Sequence, residues 1–321
     1  MMRWKDVIAG LGTVTLACGV ILTIASCNRE PGPDRVDRAA FKPAPDAAYQ
    51  KEIEKWRSDR LASLTSEDGW LTLIGLYWLQ PGANSVGSKD GSVVELPKNA
   101  APPDVGTFLV QDGKIHFKAA PNAGVTRDGA PVTELDLATD ASGNPTALQL
   151  GTLQFYPIER GGKIAIRVKN SLSQTRTGFR GLDYFPIDPS WRFRARFLPY
   201  DPPKKIAIVN VLGMVENMSS PGALEFERDG KTYRIDPVNE EGTTDLFIIV
   251  ADRTSGKETY GAGRYLYAAP PGPDGTTILD FNKAYNPPCA FTEFATCPLP
   301  PPENRLPLDI TAGEKKYAGG H

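Results

Sequence analysis

Histidine is the residue type that this sequence has least of, since its 321 residues include two, His116 and His321. Neither has a partner that suggests a nucleophile–base pair, so a Ser-His-Asp or Cys-His hydrolase is not predicted. No histidine cluster indicates a metal site, and none is predicted. No glycine-rich loop opens a helix to hold phosphate, no dinucleotide fingerprint is present, and no cofactor is predicted.

An excess of charge of one sign is also missing. The chain carries 36 Lys and Arg against 38 Asp and Glu, a formal net charge of −2. Without a broad basic field, nucleic acid is not predicted as a partner. Glycine (31) and proline (29) are abundant, which indicates many turns and few long helices.

The start of the chain has the three-part layout of a secretory signal. Arg3 and Lys5 precede an apolar stretch at 7–25, and small residues lead into Cys27. Ile24-Ala25-Ser26-Cys27 resembles the lipobox of bacterial lipoproteins, in which the cysteine is acylated and becomes the new N-terminus. An uncleaved transmembrane helix over the same apolar stretch is the alternative.

Either interpretation places residues 28–321 outside the cytoplasm. We favour the lipoprotein interpretation, in which residues 1–26 are a signal peptide and a lipid on Cys27 anchors the protein to the membrane. Asn28 follows that cysteine. The Asp that retains lipoproteins at the inner membrane is therefore absent from this position. We therefore expect a cell-envelope protein facing the periplasm or the exterior, at the outer membrane if the host has one.

With Cys18 removed in the signal peptide and Cys27 acylated, two cysteines with free thiols remain, Cys289 and Cys297. An even pair in an oxidising compartment predicts a disulfide. Closing so short a loop would stabilise the fold by about 2–3 kcal/mol on the chain-entropy estimate.

The chain is predicted to be mainly β, with one N-terminal helix. Residues 27–48 are rich in proline and charge and predict a flexible tether. Helical spacing of Ile53, Trp56, Arg60 or Leu61, and Leu64 predicts a helix over 49–64. We expect this helix and a β-sandwich to form a domain over 49–175, followed by a second antiparallel β-rich domain over 176–321.

Strands are predicted where apolar residues alternate between turn signals. In the segment 164–169, Ile164, Ile166 and Val168 alternate with Ala165, Arg167 and Lys169, the period of a half-buried strand. The other predicted strands are 93–96, 108–110, 114–118, 148–158, 191–198, 205–213, 223–227, 232–235, 245–251 and 265–268. The predicted hairpin turns are Asp112-Gly113, Asp128-Gly129, Gly161-Gly162, Asp229-Gly230 and Ser255-Gly256.

The apolar run at 69–79 predicts a buried strand pair or strand–turn, with a lipid-contacting loop as the alternative.

A ladder of arginines, Arg192, Arg194 and Arg196, occupies the polar face of the predicted strand at 191–198. Planar guanidinium groups can clamp a carboxylate, phosphate or sulfate, which makes this ladder a candidate anion site. Pairing with Glu225 and Glu227 on a neighbouring strand is the alternative.

The C-terminal part holds the main candidate ligand site. Small residues around Arg264, near Tyr260, would let a ligand approach the backbone, and a plain glycine-rich turn that leads into a strand is the alternative. The proline-stiffened segment 280–305 could preorganise a polar pocket, and a structural plug is the alternative. Its candidate residues are Asp280, Asn282, Tyr285, Asn286, Glu293, Glu303 and Asn304.

Three tracts carry a resemblance to a known family: GWLTLIGLYWLQPGANSVGS, TYGAGRYLY and DFNKAYNPPCAFTEFATCPLPPPENRL. Together they are similar to the Domain of Unknown Function 1684 family, over residues 49–317. That resemblance implies no activity, because the family has no established one to carry over.

The sandwich itself resembles a forkhead-associated domain. Gly82 and the segment Asn84–Ser88 stand where that family has an early Gly-Arg, and Asp128-Gly129 where it has Asn-Gly. Ser88 replaces the phosphate-binding arginine, and no Ser-x-x-His follows. The resemblance therefore implies the sandwich and not phosphopeptide binding.

Two functions fit these observations, and whether the protein is an enzyme stays open. The favoured one is an envelope lipoprotein that binds a small polar or anionic ligand, or an envelope partner protein, through the C-terminal domain. The alternative is a hydrolase of a glycan or ester that uses carboxylates among Asp280, Glu293 and Glu303.

Overall fold

The computed structural model describes residues 46–319. The predicted signal peptide, the acylation site Cys27 and most of the predicted tether lie outside the described residues, as does His321. Within 46–319, no helix is both long enough and apolar enough to span a bilayer.

The predicted helix is α1, Asp46–Thr65, and it begins three residues before the predicted start. Its buried side is formed by Tyr49, Ile53 and Leu64, whereas Leu61 is 41% exposed. Of the two residues predicted for this position of the packing face, Leu61 therefore does not occupy it. Arg60 takes that place, because its guanidinium reaches the buried carboxylate of Glu314 at 3.0 Å.

The first β-rich part consists of two sheets that enclose one apolar core, as the sandwich prediction required. One sheet has the order β1-β11-β10-β9-β6-β7 and the other β3-β2-β4-β5-β8. Phe108, Phe117 and Phe155 meet at its centre, with ring centroids 5.0–6.2 Å apart. The strands are β1 Leu73–Trp78, β2 Gly82–Gly87, β3 Val94–Glu95, β4 Gly106–Gln111, β5 Lys114–Ala119, β6 Thr126–Arg127, β7 Ala130–Pro131, β8 Glu134–Leu137, β9 Leu148–Leu150, β10 Leu153–Arg160 and β11 Lys163–Asn170.

Aspartate–glycine turns connect neighbouring strands where they were predicted. At Asp112-Gly113 both residues have positive φ, 50° and 73°, as a two-residue type I′ turn requires. Asp229-Gly230 has the same geometry, and the turns at 128–129 and 161–162 also join paired strands. Ser255-Gly256 instead lies inside a longer connection between β15, Leu246–Val250, and β16, Arg264–Ala268.

The second β-rich part contains a four-stranded sheet, β14-β13-β12-β17, and a two-stranded ribbon, β15-β16. The two strands predicted at 191–198 and 205–213 are one long strand, β12, with a register shift between Pro199 and Lys204. The bounds are α2 Gln174–Thr177, β12 Arg192–Val209, β13 Val215–Arg228, β14 Lys231–Ile235, β15 Leu246–Val250, β16 Arg264–Ala268 and β17 Thr276–Asp280. Trp191, Phe226 and Phe281 pack in the core of this part.

Helix α1 packs on this second part. The hydroxyl of Tyr49 donates to the Asp280 carboxylate at 2.9 Å, and Arg57 donates to the carbonyl of Phe185 at 2.9 Å. Leu64 packs against Phe291 near the C-terminal end of α1. Residues 60–63 of α1 are thereby held next to the segment that carries the two cysteines.

Candidate functional site

A cleft opens where α1, the six-stranded sheet, the β15-β16 ribbon and the cysteine segment meet. Its inner cavity has a volume of about 310 Å³. A second cavity of about 700 Å³ shares five lining residues with it and forms the outer part of the same cleft. The shared residues are Arg160, Glu240, Phe247, Thr296 and Pro298.

Arg167 of β11 lines the inner cavity and is 5% exposed. Alternation along the sequence placed it on the solvent side of a half-buried strand, and that expectation was wrong. Both Arg167 and Ala165, which is 0% exposed, lie on a face that the rest of the chain covers. Trp70 packs there, 5.0 Å from the guanidinium carbon to its ring centroid.

Arg167 has no carboxylate within 4 Å in the part of the chain that the structure describes. Its Nη2 reaches the hydroxyl of Thr296 at 3.4 Å, and its buried Nε has no hydrogen-bond partner among these residues. A buried guanidinium that is neither paired nor fully hydrogen bonded is costly, which makes this position suited to an anionic group.

The other two arginines of the inner cavity are already neutralised. Arg60 pairs with Glu314 at 3.0 Å, and Arg160 pairs with Asp140 at 2.8 Å. Burial raises the pKa of Glu314, although Arg60 opposes that rise. Of the three arginines that line the inner cavity, Arg167 is therefore the one without a carboxylate within 4 Å among the described residues.

Aromatic rings form the wall of the cleft beside Arg167. Phe247 and Tyr267 face each other across the β15-β16 ribbon with centroids 5.1 Å apart, and Tyr285 lies 6.4 Å from Tyr267. The hydroxyl of Tyr267 donates to Glu240 Oε2. Burial first, then neighbouring Tyr285 and Glu240, raise the pKa of Tyr267, so this hydroxyl remains a donor.

Arg264, the central residue of the predicted ligand site, does not line either cavity. It is 1% exposed and pairs with Asp252 at 2.9 Å. It also donates to the carbonyl of Ile310 at 2.9 Å and to that of Ala312. Arg264 thus joins the C-terminal segment to the core.

Three predicted asparagines likewise hold irregular backbone in place. Asn304 exchanges hydrogen bonds with the backbone of Asp236 at 2.8 and 3.0 Å. Asn282 donates to Asp188 O and to the hydroxyl of Tyr49, both at 2.9 Å. Asn286 donates through Nδ2 to the carbonyl of Lys315 at 2.8 Å, while its Oδ1 has no partner among residues 46–319.

The carboxylates of the hydrolase hypothesis do not meet at either cavity. Asp280 is 4% exposed and accepts from Tyr49, and burial raises its pKa. Glu293 is exposed, and Glu303 pairs with Lys204 at 3.1 Å. None of the three lines the inner or the outer cavity.

Two further predicted ligand residues lie at or near the cleft. Tyr285 lines the inner cavity and packs under the Arg60 guanidinium, 4.6 Å from its ring centroid. Tyr260 donates its hydroxyl to the carbonyl of Cys289 at 2.8 Å.

The arginine ladder is paired along its length. Arg192 contacts Glu52 at 3.3 Å, Arg194 contacts Asp274, and Arg196 contacts Glu225 at 2.8 Å. The interstrand pairing that was the alternative to an anion site is therefore present for Glu225.

The cysteines Cys289 and Cys297 are free thiols in this structure. The backbone N–H of Cys289 donates to Cys297 Sγ at 3.1 Å. The contact with Cys297 lowers the pKa of Cys289, whereas burial raises that of Cys297. The predicted disulfide stays a prediction. Among residues 46–319, no group of three or more His, Cys, Asp or Glu side chains is arranged to hold a metal ion.

Comparison with known proteins gives a family for the second part of the chain. Residues 177–315 match the family described as Protein of unknown function (DUF1684). By this segment the chain belongs to the DUF1684 family. The DUF1684 segment supplies Glu240 and the aromatic wall of the cleft, whereas Trp70 and Arg167 precede it.

Among solved structures, an uncharacterised protein of Haloarcula marismortui, determined by NMR, is 31% identical. The alignment covers 45% of this chain and 80% of that one, with a TM-score of 0.38. None of the curated proteins matches the chain.

Two forkhead-associated domains are faintly similar to this DUF1684 protein. One, from a study of phosphothreonine-dependent interactions, is 18% identical and covers 30% of this chain and 96% of its own, with a TM-score of 0.22. The other, the FhaA domain in complex with the intracellular domain of another protein, is 19% identical, covers 29% and 97%, and has a TM-score of 0.21.

Proposed function

We propose that this protein binds a small anionic ligand in the cleft, with Arg167 as the residue that holds the anionic group. The observation that carries this proposal is the state of Arg167, which is buried, lines the inner cavity and lacks a carboxylate partner among the described residues. A carboxylate or phosphate can accept two parallel hydrogen bonds from one edge of a guanidinium.

The test compares the purified full chain in detergent with two arginine variants. Native mass spectrometry and calorimetric titration with benzoate would measure ligand binding. Arg167→Gln should lower the affinity at least tenfold, about 1.4 kcal/mol. Arg194→Gln is the matched control, because Arg194 is 48% exposed and lies outside the cleft. Equal affinities for both variants would contradict the proposal.

A stability measurement separates a binding role from a structural one. If Arg167 serves a ligand, Arg167→Met should leave the ligand-free protein as stable as the wild type or make it more stable, since an unpaired buried charge is removed. A loss of several kcal/mol in Arg167→Met would instead indicate that its contacts with Trp70 and Tyr156 hold the fold together.

We also propose that the protein works in the cell envelope, anchored by a lipid on Cys27. The charged start, the apolar stretch and the lipobox-like Ile24–Cys27 support this proposal. Labelling cells with a palmitate analogue should mark the wild type and leave Cys27→Ser unmarked. Label that persists in Cys27→Ser would contradict it.

In that oxidising compartment we propose that Cys289 and Cys297 form a disulfide. Protein isolated from the envelope without reductant should resist thiol alkylation at both cysteines until it is reduced. Full alkylation without reduction would contradict the bridge.

A further inference from the structure

We infer that the ligand of the cleft is an acidic monosaccharide, a ring with one carboxylate, several hydroxyls and an apolar face. This inference rests on the proposed anion-binding function of Arg167 and adds the class of ligand. The other groups that line the inner cavity, namely aromatic rings, hydroxyl groups and the carboxylate of Glu240, indicate this class.

The charges of the inner cavity specify one anionic group. Arg60 and Arg160 are each paired with a carboxylate, so a second anionic group would find no uncompensated cation. Glu240 faces the same cavity and would repel it. A polyphosphate or a dicarboxylate therefore fits poorly, and a single carboxylate on Arg167 fits well.

The aromatic wall and Trp70 together offer an apolar surface. Trp70, Phe247 and Tyr285 line the inner cavity together. The C–H face of a sugar ring is apolar and can bury area against such rings, while its hydroxyls point outward toward polar groups.

The polar groups around that surface suit hydroxyls. Ser63 and Thr296 contribute hydroxyl groups, which can both donate and accept, and the Tyr267 hydroxyl, whose proton goes to Glu240, can accept. Glu240 accepts from Tyr267 through Oε2, and its Oε1 accepts no hydrogen bond within residues 46–319. A ligand hydroxyl can donate to that free oxygen.

Two other kinds of carboxylate are the competing ligands. An aromatic carboxylate would place an apolar ring edge against the Glu240 carboxylate and desolvate it without a donor. An amino acid is a zwitterion, and its ammonium group can pair with Glu240, the sole carboxylate that lines the inner cavity, so glycine is the competing ligand that the experiment has to exclude.

The experiment is calorimetric titration of the full chain in detergent with glucuronate, glucose, benzoate and glycine. Glucuronate should bind at least tenfold more tightly than each of the other three. Arg167→Gln should weaken glucuronate and benzoate alike by at least tenfold. Glu240→Gln should weaken glucuronate at least tenfold and leave benzoate unchanged or improved.

Two further variants test whether the effect is specific to Glu240. Glu241→Gln is the matched control, because Glu241 is the next residue in the chain and lines the outer cavity but not the inner one. Tyr267→Phe removes the hydroxyl that positions Glu240 and should weaken glucuronate at least threefold. Circular dichroism and thermal unfolding would verify that each variant is folded.

The two proposals fail in different ways. Benzoate or glycine binding as tightly as glucuronate, in an Arg167-dependent manner, would overturn the sugar inference and leave the anion site standing. An unchanged glucuronate affinity in Glu240→Gln would do the same. Absence of saturable binding for both glucuronate and benzoate would overturn both proposals.

Discussion

Replacing Arg264 by methionine tests whether this buried arginine is structural. It is 1% exposed, and its Nη2 lies 2.9 Å from Asp252 Oδ2 and 2.9 Å from the carbonyl of Ile310. The side chain of Asp252 is also 1% exposed, so the pair is almost fully removed from water. Methionine has a similar length and keeps much of the packing, which isolates the loss of charge and donors.

The expected loss follows from what the substitution leaves behind. Removing one partner of a buried ion pair costs about 3–5 kcal/mol, because the other charge stays buried. The carbonyls of Ile310 and Ala312 also lose a donor, although water entering the site offsets part of that loss. We therefore expect Arg264→Met to lower the free energy of unfolding by about 4 kcal/mol.

Urea denaturation of the full chain in detergent measures this change. Arg253→Met is the control, since Arg253 is 61% exposed and lies 3.9 Å from Asp309, and it should cost less than about 1 kcal/mol. Adding Asp252→Asn to Arg264→Met should restore about 1 kcal/mol or more, because the stranded charge disappears. A loss in Arg264→Met within 1 kcal/mol of the control would refute this reasoning.

Two other predictions concern single side chains. Tyr49→Phe should cost about 2 kcal/mol, because the hydroxyl donates to the buried Asp280 carboxylate at 2.9 Å. In urea denaturation it should exceed Tyr233→Phe, whose hydroxyl makes no hydrogen bond within residues 46–319, and equal losses would contradict the role of Tyr49. Glu225→Gln tests a pH effect, since burial alone would raise the pKa of Glu225 but its two arginine partners lower it overall. The stabilisation is present above the ordinary glutamate pKa and is lost as the pH falls through the lowered value. Glu225→Gln should therefore cost about 1 kcal/mol at pH 7 and progressively less as the pH falls below the ordinary glutamate pKa, and a loss that does not change with pH would contradict the ion pairs.

Local signals in the sequence predicted much of the β-structure. The Asp-Gly pairs at 112–113 and 229–230 require positive φ at both positions, which few other residue pairs tolerate, and the turns formed there. Strand β17, at Thr276–Asp280, was missed. It pairs with β12, which lies far away in the sequence, and no turn residue signals that pairing.

The candidate ligand residues show why composition alone could not locate the site. Asn282 and Asn304 are both buried, and their amides satisfy backbone groups of irregular segments that no strand partner reaches. A structural segment and a ligand pocket both need buried amides and carboxylates. The sequence thus predicts that these residues are ordered, and the packing decides what they bind.

Arg167 was missed because its burial depends on long-range packing. The alternation over 164–169 is that of a strand with one solvent-exposed face. In the structure, Trp70 and Thr296 contact Arg167 on that face. One signal was present. Ala165 and Arg167 share a face, and a small alanine there indicates that another segment approaches closely.

The buried charged residues of this protein supply the strongest argument for the cleft. Besides the side chain of Asp252, which pairs with Arg264, five Asp, Glu or Arg residues are buried in the described part of the chain, namely Arg167, Asp236, Arg264, Asp280 and Glu314. Four have an opposite charge within 4 Å, at distances between 2.9 and 3.9 Å. The fold therefore pairs its buried charges as a rule, and the exception lines a cavity. Because an unpaired buried charge costs stability in the free protein, its presence at a concave, aromatic surface is better explained by a ligand than by folding.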